Sequence, residues 1–272
     1  MSLSKIKRSD LTFGEELGRG GFSVVYKAIW KQSLFESQEV AAKKLIKPQA
    51  NEMKIMSQLE HENIVKLLAV VDENPDFYLI LELCPGGSLR TYLDERRGKR
   101  LPEDQFYDWA KQAARSIEYL KKMGIIHKDV KSENYVIADH NILKLTDFGL
   151  AKEIDATIEN ATGSATYAYM APELLKDFIL SPSYDIFSYG VVVYELWTTQ
   201  KPFEGVEGYA IIWKVCHLNE RPPIPDDCPE PIADLMRQCW LEKWKDRPSI
   251  DHVLTVVRPS QLNPAPQSCR AC

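Results

Sequence analysis

The sequence predicts an α+β fold in two lobes, on three observations. The first 83 residues alternate apolar and polar side chains in short runs rich in β-branched and aromatic residues, the pattern of half-buried strands. Beyond Pro85-Gly86-Gly87 the apolar residues recur at helical spacing instead. The change falls at 84–87, so a small sheet-rich part joins a larger helical part, and the cleft between two such parts is a common ligand site.

In chain order, 11–17, 22–30 and 38–45 read as strands, and 77–83 as another after the turn signal Asn74-Pro75-Asp76. Between them, 51–59 carries apolar residues at 53, 55, 56 and 59, a short helical stripe. Phe106, Trp109, Ala110, Ala113, Ile117 and Leu120 line one face of a helix that begins near Pro102. From Arg258 onward Pro, Gln and Ser predominate, as in a tail, and no internal repeat is visible.

At 272 residues, with 44% hydrophobic and 27% charged side chains, the chain has the makings of a sizeable core. Its net charge of −5 argues against nucleic acid as a partner. Six cysteines lack metal-ligand spacing and are too sparse for a disulfide scaffold, which fits a reducing, cytoplasmic setting. No apolar run approaches the roughly 18 residues of a membrane span, so no membrane partner is expected. The final Cys269-Arg270-Ala271-Cys272 matches a prenylation box poorly, and the Asn160-Ala161-Thr162 sequon has nothing to route it to a secretory compartment.

Gly18-Arg19-Gly20-Gly21-Phe22-Ser23-Val24-Val25 nearly matches a glycine-rich phosphate loop, in which backbone N–H groups approach an anion closely. Strand, rather than helix, follows it, so the segment reads as a hairpin and not as a dinucleotide fingerprint; alone it is equally a glycine-bearing turn. Val40-Ala41-Ala42-Lys43 presents a lysine on the strand expected to pair with that hairpin. An ammonium pointing into a cleft needs a counter-charge, and Glu52 in the short helical stripe is the natural one.

His127-Lys128-Asp129-Val130-Lys131-Ser132-Glu133-Asn134, followed thirteen residues on by Asp147-Phe148-Gly149, decides between these readings. With these motifs the chain resembles the eukaryotic protein kinase family from about Leu11 to about Val257. The resemblance implies a bilobal kinase domain over 11–257: an N-lobe of antiparallel sheet and one helix (11–83) and a helical C-lobe (84–257), with 1–10 as an N-terminal extension and 258–272 as a tail. It also implies ATP and Mg²⁺ as ligands. Asp129 would take or orient the substrate hydroxyl proton, Lys131 would steady the γ-phosphate, Lys43 held by Glu52 would reach the other phosphates, and Asn134 and Asp147 would hold the metal. Leu17, Gly18, Gly20, Ser23, Val25, Ala41 and Val136 would surround the nucleotide. Leu81 would be the gatekeeper, with backbone groups of Glu82 and Cys84 facing adenine, and Met56, Leu67, His127 and Phe148 would stack between the lobes. For the apolar members of this set, plain core packing is the competing reading.

By the same resemblance, Glu173 of Ala171-Pro172-Glu173 would pair with Arg247, and Asp185 would brace the catalytic loop. Lys131 and Thr166 resemble serine/threonine kinases. Tyr167-Ala168-Tyr169-Met170, Glu195-Leu196-Trp197 and Gln238-Cys239-Trp240 resemble the tyrosine-kinase-like branch, and with the short step from Lys43 to Glu52 they are similar to mixed-lineage and leucine-zipper, sterile-alpha-motif kinases of the MAP kinase kinase kinase level. MAP kinase kinases would then be the protein substrates.

Three departures stand out. Ser23 replaces a loop glycine, which would cost flexibility if φ is positive there. Lys128 replaces the usual arginine, offering a point charge in place of a planar fork, and Ala165 replaces a glycine. Phosphate on Thr157, Thr162 or Ser164 would be held less specifically, so weaker dependence on loop phosphorylation follows. These departures also raise a rival reading, a pseudokinase scaffold. The basic run Arg96-Arg97-Gly98-Lys99-Arg100 offers a docking patch, or simply a solvated loop.

Overall fold

Alternation along the strands sorts their side chains between two cores. Val40 and Ala42 of β4 (Ser37–Leu45) and Tyr78 and Ile80 of β6 (Asp76–Glu82) pack into a small cluster with Leu11, Ala28, Ala69 and Val71. Their neighbours Ala41, Leu45, Leu79 and Leu81 take the other face and join the main core, which continues through the helical part. The same period of two puts Lys43 on the face shared with Ala41, so its buried position follows from strand geometry.

The computed structural model describes residues 3–21, 23–33, 35–46, 50–153 and 167–258. Six strands run in the order β1-β5-β6-β4-β3-β2, with β1 at Ser4–Ile6, β2 at Leu11–Arg19, β3 at Ser23–Lys31 and β5 at Leu67–Glu73. All pairings are antiparallel except β1 with β5, where Ser4, Lys5 and Ile6 align parallel to Ala69, Val70 and Val71. The sheet is therefore mixed, and part of the segment expected as an extension closes its edge. Lys5 to Asp72 at 3.0 Å and the Arg8 amide to Glu73 at 3.0 Å hold it there. Helix α1 spans Ala50–Met56, shorter than the expected stripe, although Leu59 beyond its end is still buried.

The C-terminal part comprises α2 (Leu89–Glu95), α3 (Glu103–Lys122), α4 (Pro172–Asp177), α5 (Tyr184–Thr198), α6 (Gly208–His217), α7 (Glu230–Cys239) and α8 (Ile250–Val256). Four short strands lie at its junction with the sheet: β7 (Ile125–Ile126) pairs with β10 (Lys152–Glu153), and β8 (Tyr135–Ile137) with β9 (Leu143–Leu145). Every residue of α5 from Tyr184 to Leu196 is buried, the signature of a central helix. Around it, α3, α7 and α8 contribute Trp109, Leu120, Leu235 and Val253 to the same core. The junction itself depends on Gly86 and Gly87. A Cβ on Gly86 would lie 2.8 Å from Ile137, and Gly87 has φ +68°, so the chain leaves the sheet tight against β8. No helix among the described residues is long and apolar enough to cross a membrane.

Candidate active site

The β2–β3 hairpin is formed as expected, with Gly18 opposite Val25 and the Gly20 amide bonded to the Ser23 carbonyl at 2.9 Å. A Cβ on Gly18 or Gly21 would meet nothing within 4 Å, so the missing side chains leave open space along the hairpin. Leu17 is 47% exposed beside it. Ser23 starts β3 in register with Leu45, and its φ is not positive, so the flexibility cost expected of the serine does not arise.

Directly across the next strand pair, Val25 aligns with Lys43. The Lys43 ammonium donates to Glu52 Oε1 at 2.6 Å and to Asp147 Oδ1 at 2.8 Å. Burial disfavours the lysine's charge, but the two carboxylates outweigh it and raise its pKa. Asp147 has a lowered pKa: burial opposes its charge, and Lys43, His127 and the Gly149 amide more than offset that. At Glu52 burial wins over the lysine and the pKa rises. Asp147 adopts a left-handed backbone, φ 64° and ψ 74°, an uncommon state for a residue with a side chain.

Residues 127–134 form a second cluster. Lys131 Nζ lies 2.7 Å from Asp129 Oδ2, and the Asn134 amide nitrogen donates to the same oxygen at 2.7 Å and to the Asp129 carbonyl at 2.8 Å. Asn134 thereby has its amide orientation fixed, with its oxygen on the opposite side. His127 is fully buried and its pKa is lowered by burial. Its Nδ1 accepts from the Asp129 amide at 3.3 Å, so its Nε2 carries the proton that bonds the Thr146 carbonyl at 3.1 Å. The Phe148 ring meets it edge-on at 4.7 Å. Met56, Leu67 and Phe148 are all buried in the main core, as the packing reading of these residues also requires.

Asp185 accepts from the His127 amide at 2.8 Å and from the Lys128 amide at 3.0 Å, which locks the Lys128 backbone at φ 70°. Burial raises the Asp185 pKa, against the pull of His127 and Lys128. Burial and the neighbouring Lys152 lower that of Lys128. Arg247 grips Glu173 with two bonds of 2.8 and 2.6 Å, and Ser181 adds a third at 2.7 Å. The basic run is largely engaged: Arg97 pairs with Glu204, Arg100 with Asp227, and Arg96 lies over the Tyr92 ring.

At the junction, Leu81 is buried opposite Ala41, while Val25 and Val136 pack against the same core. The Glu82 amide is bonded to the Lys66 carbonyl at 3.0 Å, leaving its carbonyl as what it can offer a ligand. The Cys84 amide has no acceptor among the described residues. Burial, with Glu82 nearby, pushes the Cys84 thiol up to about 12.

Thr157, Thr162, Ser164, Ala165 and Thr166, like Cys269 and Cys272, lie outside the described residues. Sequence reasoning missed a buried polar group next to residues 127–134. Arg90 donates to Glu195 at 2.7 Å, Ser132 donates to the same oxygen at 2.8 Å, and Tyr169 lies 3.5 Å from Ser132. Nothing in the spacing of these residues signals their meeting.

The two clusters bring two ammoniums, Lys43 and Lys131, against three carboxylates, Glu52, Asp129 and Asp147. One excess negative charge cannot hold a polyphosphate without a cation, and the side-chain oxygens of Asp147 and Asn134 are the hard donors Mg²⁺ prefers. The residues present thus fit Mg²⁺.

The family model for protein tyrosine and serine/threonine kinases matches residues 11–257. The chain is 34% identical over 254 residues to mitogen-activated protein kinase kinase kinase 7 of Drosophila melanogaster, covering 92% of this chain and 37% of that protein. It is 34% identical over 266 residues to mitogen-activated protein kinase kinase kinase 11 of Homo sapiens, covering 90% and 30%. It is 31% identical over 258 residues to the serine/threonine/tyrosine-protein kinase HT1 of Arabidopsis thaliana, covering 92% and 66%. The chain thus spans about a third of the length of the two kinase kinase kinases. With a family match across almost the whole chain and relatives that share a third of its residues, this chain belongs to the protein kinase family.

Proposed function

We propose that this chain transfers the γ-phosphate of ATP to serine and threonine hydroxyls of protein substrates, with residues 11–257 as the catalytic unit. The observation that carries the reading is the assembled pair of clusters, Glu52–Lys43–Asp147 and Lys131–Asp129–Asn134, joined through His127, which touches both the Asp129 amide and the Phe148 ring. A pseudokinase scaffold has no need of both at hydrogen-bonding distance.

The nucleotide would lie between Leu17, Val25 and Ala41 on one side and Val136 on the other, its adenine edge against the Glu82 carbonyl and the Cys84 amide. Leu81 closes the rear. The open space at Gly18 and Gly21 lets the hairpin backbone approach the phosphates, and Lys43 offers them its ammonium. Asn134 and Asp147 would hold Mg²⁺, which supplies charge neutralisation on the phosphate oxygens when bound.

Asp129 orients the incoming hydroxyl and accepts its proton. The hydroxyl oxygen bonds to the γ-phosphorus, the bond from that phosphorus to the β–γ bridging oxygen breaks, and ADP leaves with that electron pair. Lys131 stays beside the transferring group throughout. Asp185 and His127 keep the Asp129 backbone in place.

The relatives' names support a role at the MAP kinase kinase kinase level, with MAP kinase kinases as substrates. The four described cysteines are free thiols, which supports a cytoplasmic setting. Incubation with Mg-ATP and a catalytically dead MAP kinase kinase, followed by phosphoamino-acid analysis, tests both points. Phosphoserine and phosphothreonine are expected; phosphotyrosine alone would overturn the serine/threonine assignment.

A further inference from the structure

Helix α1 has seven residues, roughly 10 Å at 1.5 Å per residue. A helix so short does not persist by itself in water, so its direction, and with it the aim of Glu52, is set by what it touches. Ile55 and Met56 anchor one side in the core. Two polar side chains flanking Glu52 reach the stretch just beyond Gly149. The Asn51 amide nitrogen donates to the Ala151 carbonyl at 3.0 Å, and Lys54 Nζ lies 2.9 Å from Glu153 Oε1.

That stretch follows closely on Asp147, which meets Lys43, which meets Glu52. Asn51 therefore closes a ring: Asp147 to Lys43 to Glu52, along one residue of helix to Asn51, and across to Ala151, four residues after Asp147. The two contacts differ in weight. Lys54 and Glu153 are 61% and 55% exposed, and such pairs contribute little. Ala151 is 1% exposed, its own amide bonds the Phe148 carbonyl at 3.0 Å, and Asn51 supplies a donor to its carbonyl. A buried carbonyl that loses its donor is penalised more than an exposed ion pair.

We propose that Asn51 is a positioning residue for phosphoryl transfer, coupling α1 to residues 150–153 so that Glu52 and Asp147 reach Lys43 together. This rests on the kinase reading above. Asn51 itself is exposed, so its replacement leaves the core intact.

The test compares Asn51→Leu and Asn51→Asp, which keep the shape and lose the donor, with Asn51→Gln, which keeps an amide on a longer arm. Leu and Asp are expected to lower kcat about five-fold, the order of one net hydrogen bond, with KM for the protein substrate unchanged and Gln recovering most of the loss. Amide hydrogen exchange should quicken in α1 and in 150–153 together. Unchanged kcat, or faster exchange in α1 alone, would overturn the proposal. A wild-type protein that transfers no phosphate would sink the kinase reading while leaving the exchange result to judge the coupling.

Discussion

Lys43 Nζ and Glu52 Oε1 lie 2.6 Å apart, with the two side chains only 6% and 1% exposed. A strand and a seven-residue helix thus exchange a charge in the interior, where an uncompensated partner is costly. Lys43→Met is expected to reduce phosphate transfer on the order of 10²-fold or more, since it removes the cation proposed to meet the phosphates. Glu52→Gln leaves the ammonium facing Asp147 and should cost less. Single-turnover rates of the two variants check this; a larger loss for Glu52→Gln would contradict it.

Glu173 and Arg247 form a buried two-bond pair that shares no hydrogen bond with Lys43, Asp129 or Asp147. Arg247→Met strands the carboxylate and is expected to destabilise the protein by about 3 to 5 kcal/mol. Urea unfolding measures the loss, and nucleotide affinity of the folded protein should stay unchanged. A folded, fully stable Arg247→Met protein would show that the pair is dispensable.

Burial pushes the Glu195 carboxyl up to about 7, aided by Glu133 and opposed by Arg90, Ser132 and Tyr169. The folded protein then keeps a proton that the unfolded chain releases near 4.5, so this group's contribution to stability falls as pH rises from about 4.5 to about 7 and is level above. Glu195→Gln should flatten that part of the profile. Melting temperatures at pH 5 and pH 8 are the check: an identical pH dependence in the variant would refute the assignment.

Cys84 sits at the junction where adenine is proposed to bind, with its thiol pushed up to about 12. At pH 8 it should alkylate with iodoacetamide more slowly than free cysteine, because the thiolate is the reactive form. Adding ATP should slow it further. Peptide mapping by mass spectrometry reads both rates, and rapid labelling would contradict the burial argument.

Much of the proposed site was legible because the phosphoryl transfer proposed for it would constrain residue types at short spacing: Asp129, Lys131 and Asn134 lie within six positions, and alternation places Lys43 on the buried face. Strands β2, β3, β4 and β6 were visible for the same reason, since period two marks a half-buried sheet. Strand β5 was not, because the run Leu67-Leu68-Ala69-Val70-Val71 is continuously apolar and carries no alternation. Nor was β1, three residues whose pairing is decided by an edge 65 positions away. Contacts such as Arg90 with Glu195, 105 positions apart, depend on how helices pack and leave no local pattern.

Incorporation of radiolabelled phosphate from Mg-ATP, compared between wild type and Asp129→Asn, tests the central claim most directly. Asp129 receives the Asn134 amide at 2.7 Å and lies 2.7 Å from Lys131, so the substitution keeps the shape while removing the proposed proton acceptor. Transfer by the wild type and its near-complete loss in Asp129→Asn is the predicted result. Equal incorporation by both proteins would contradict the assignment of this cleft as a phosphotransferase site.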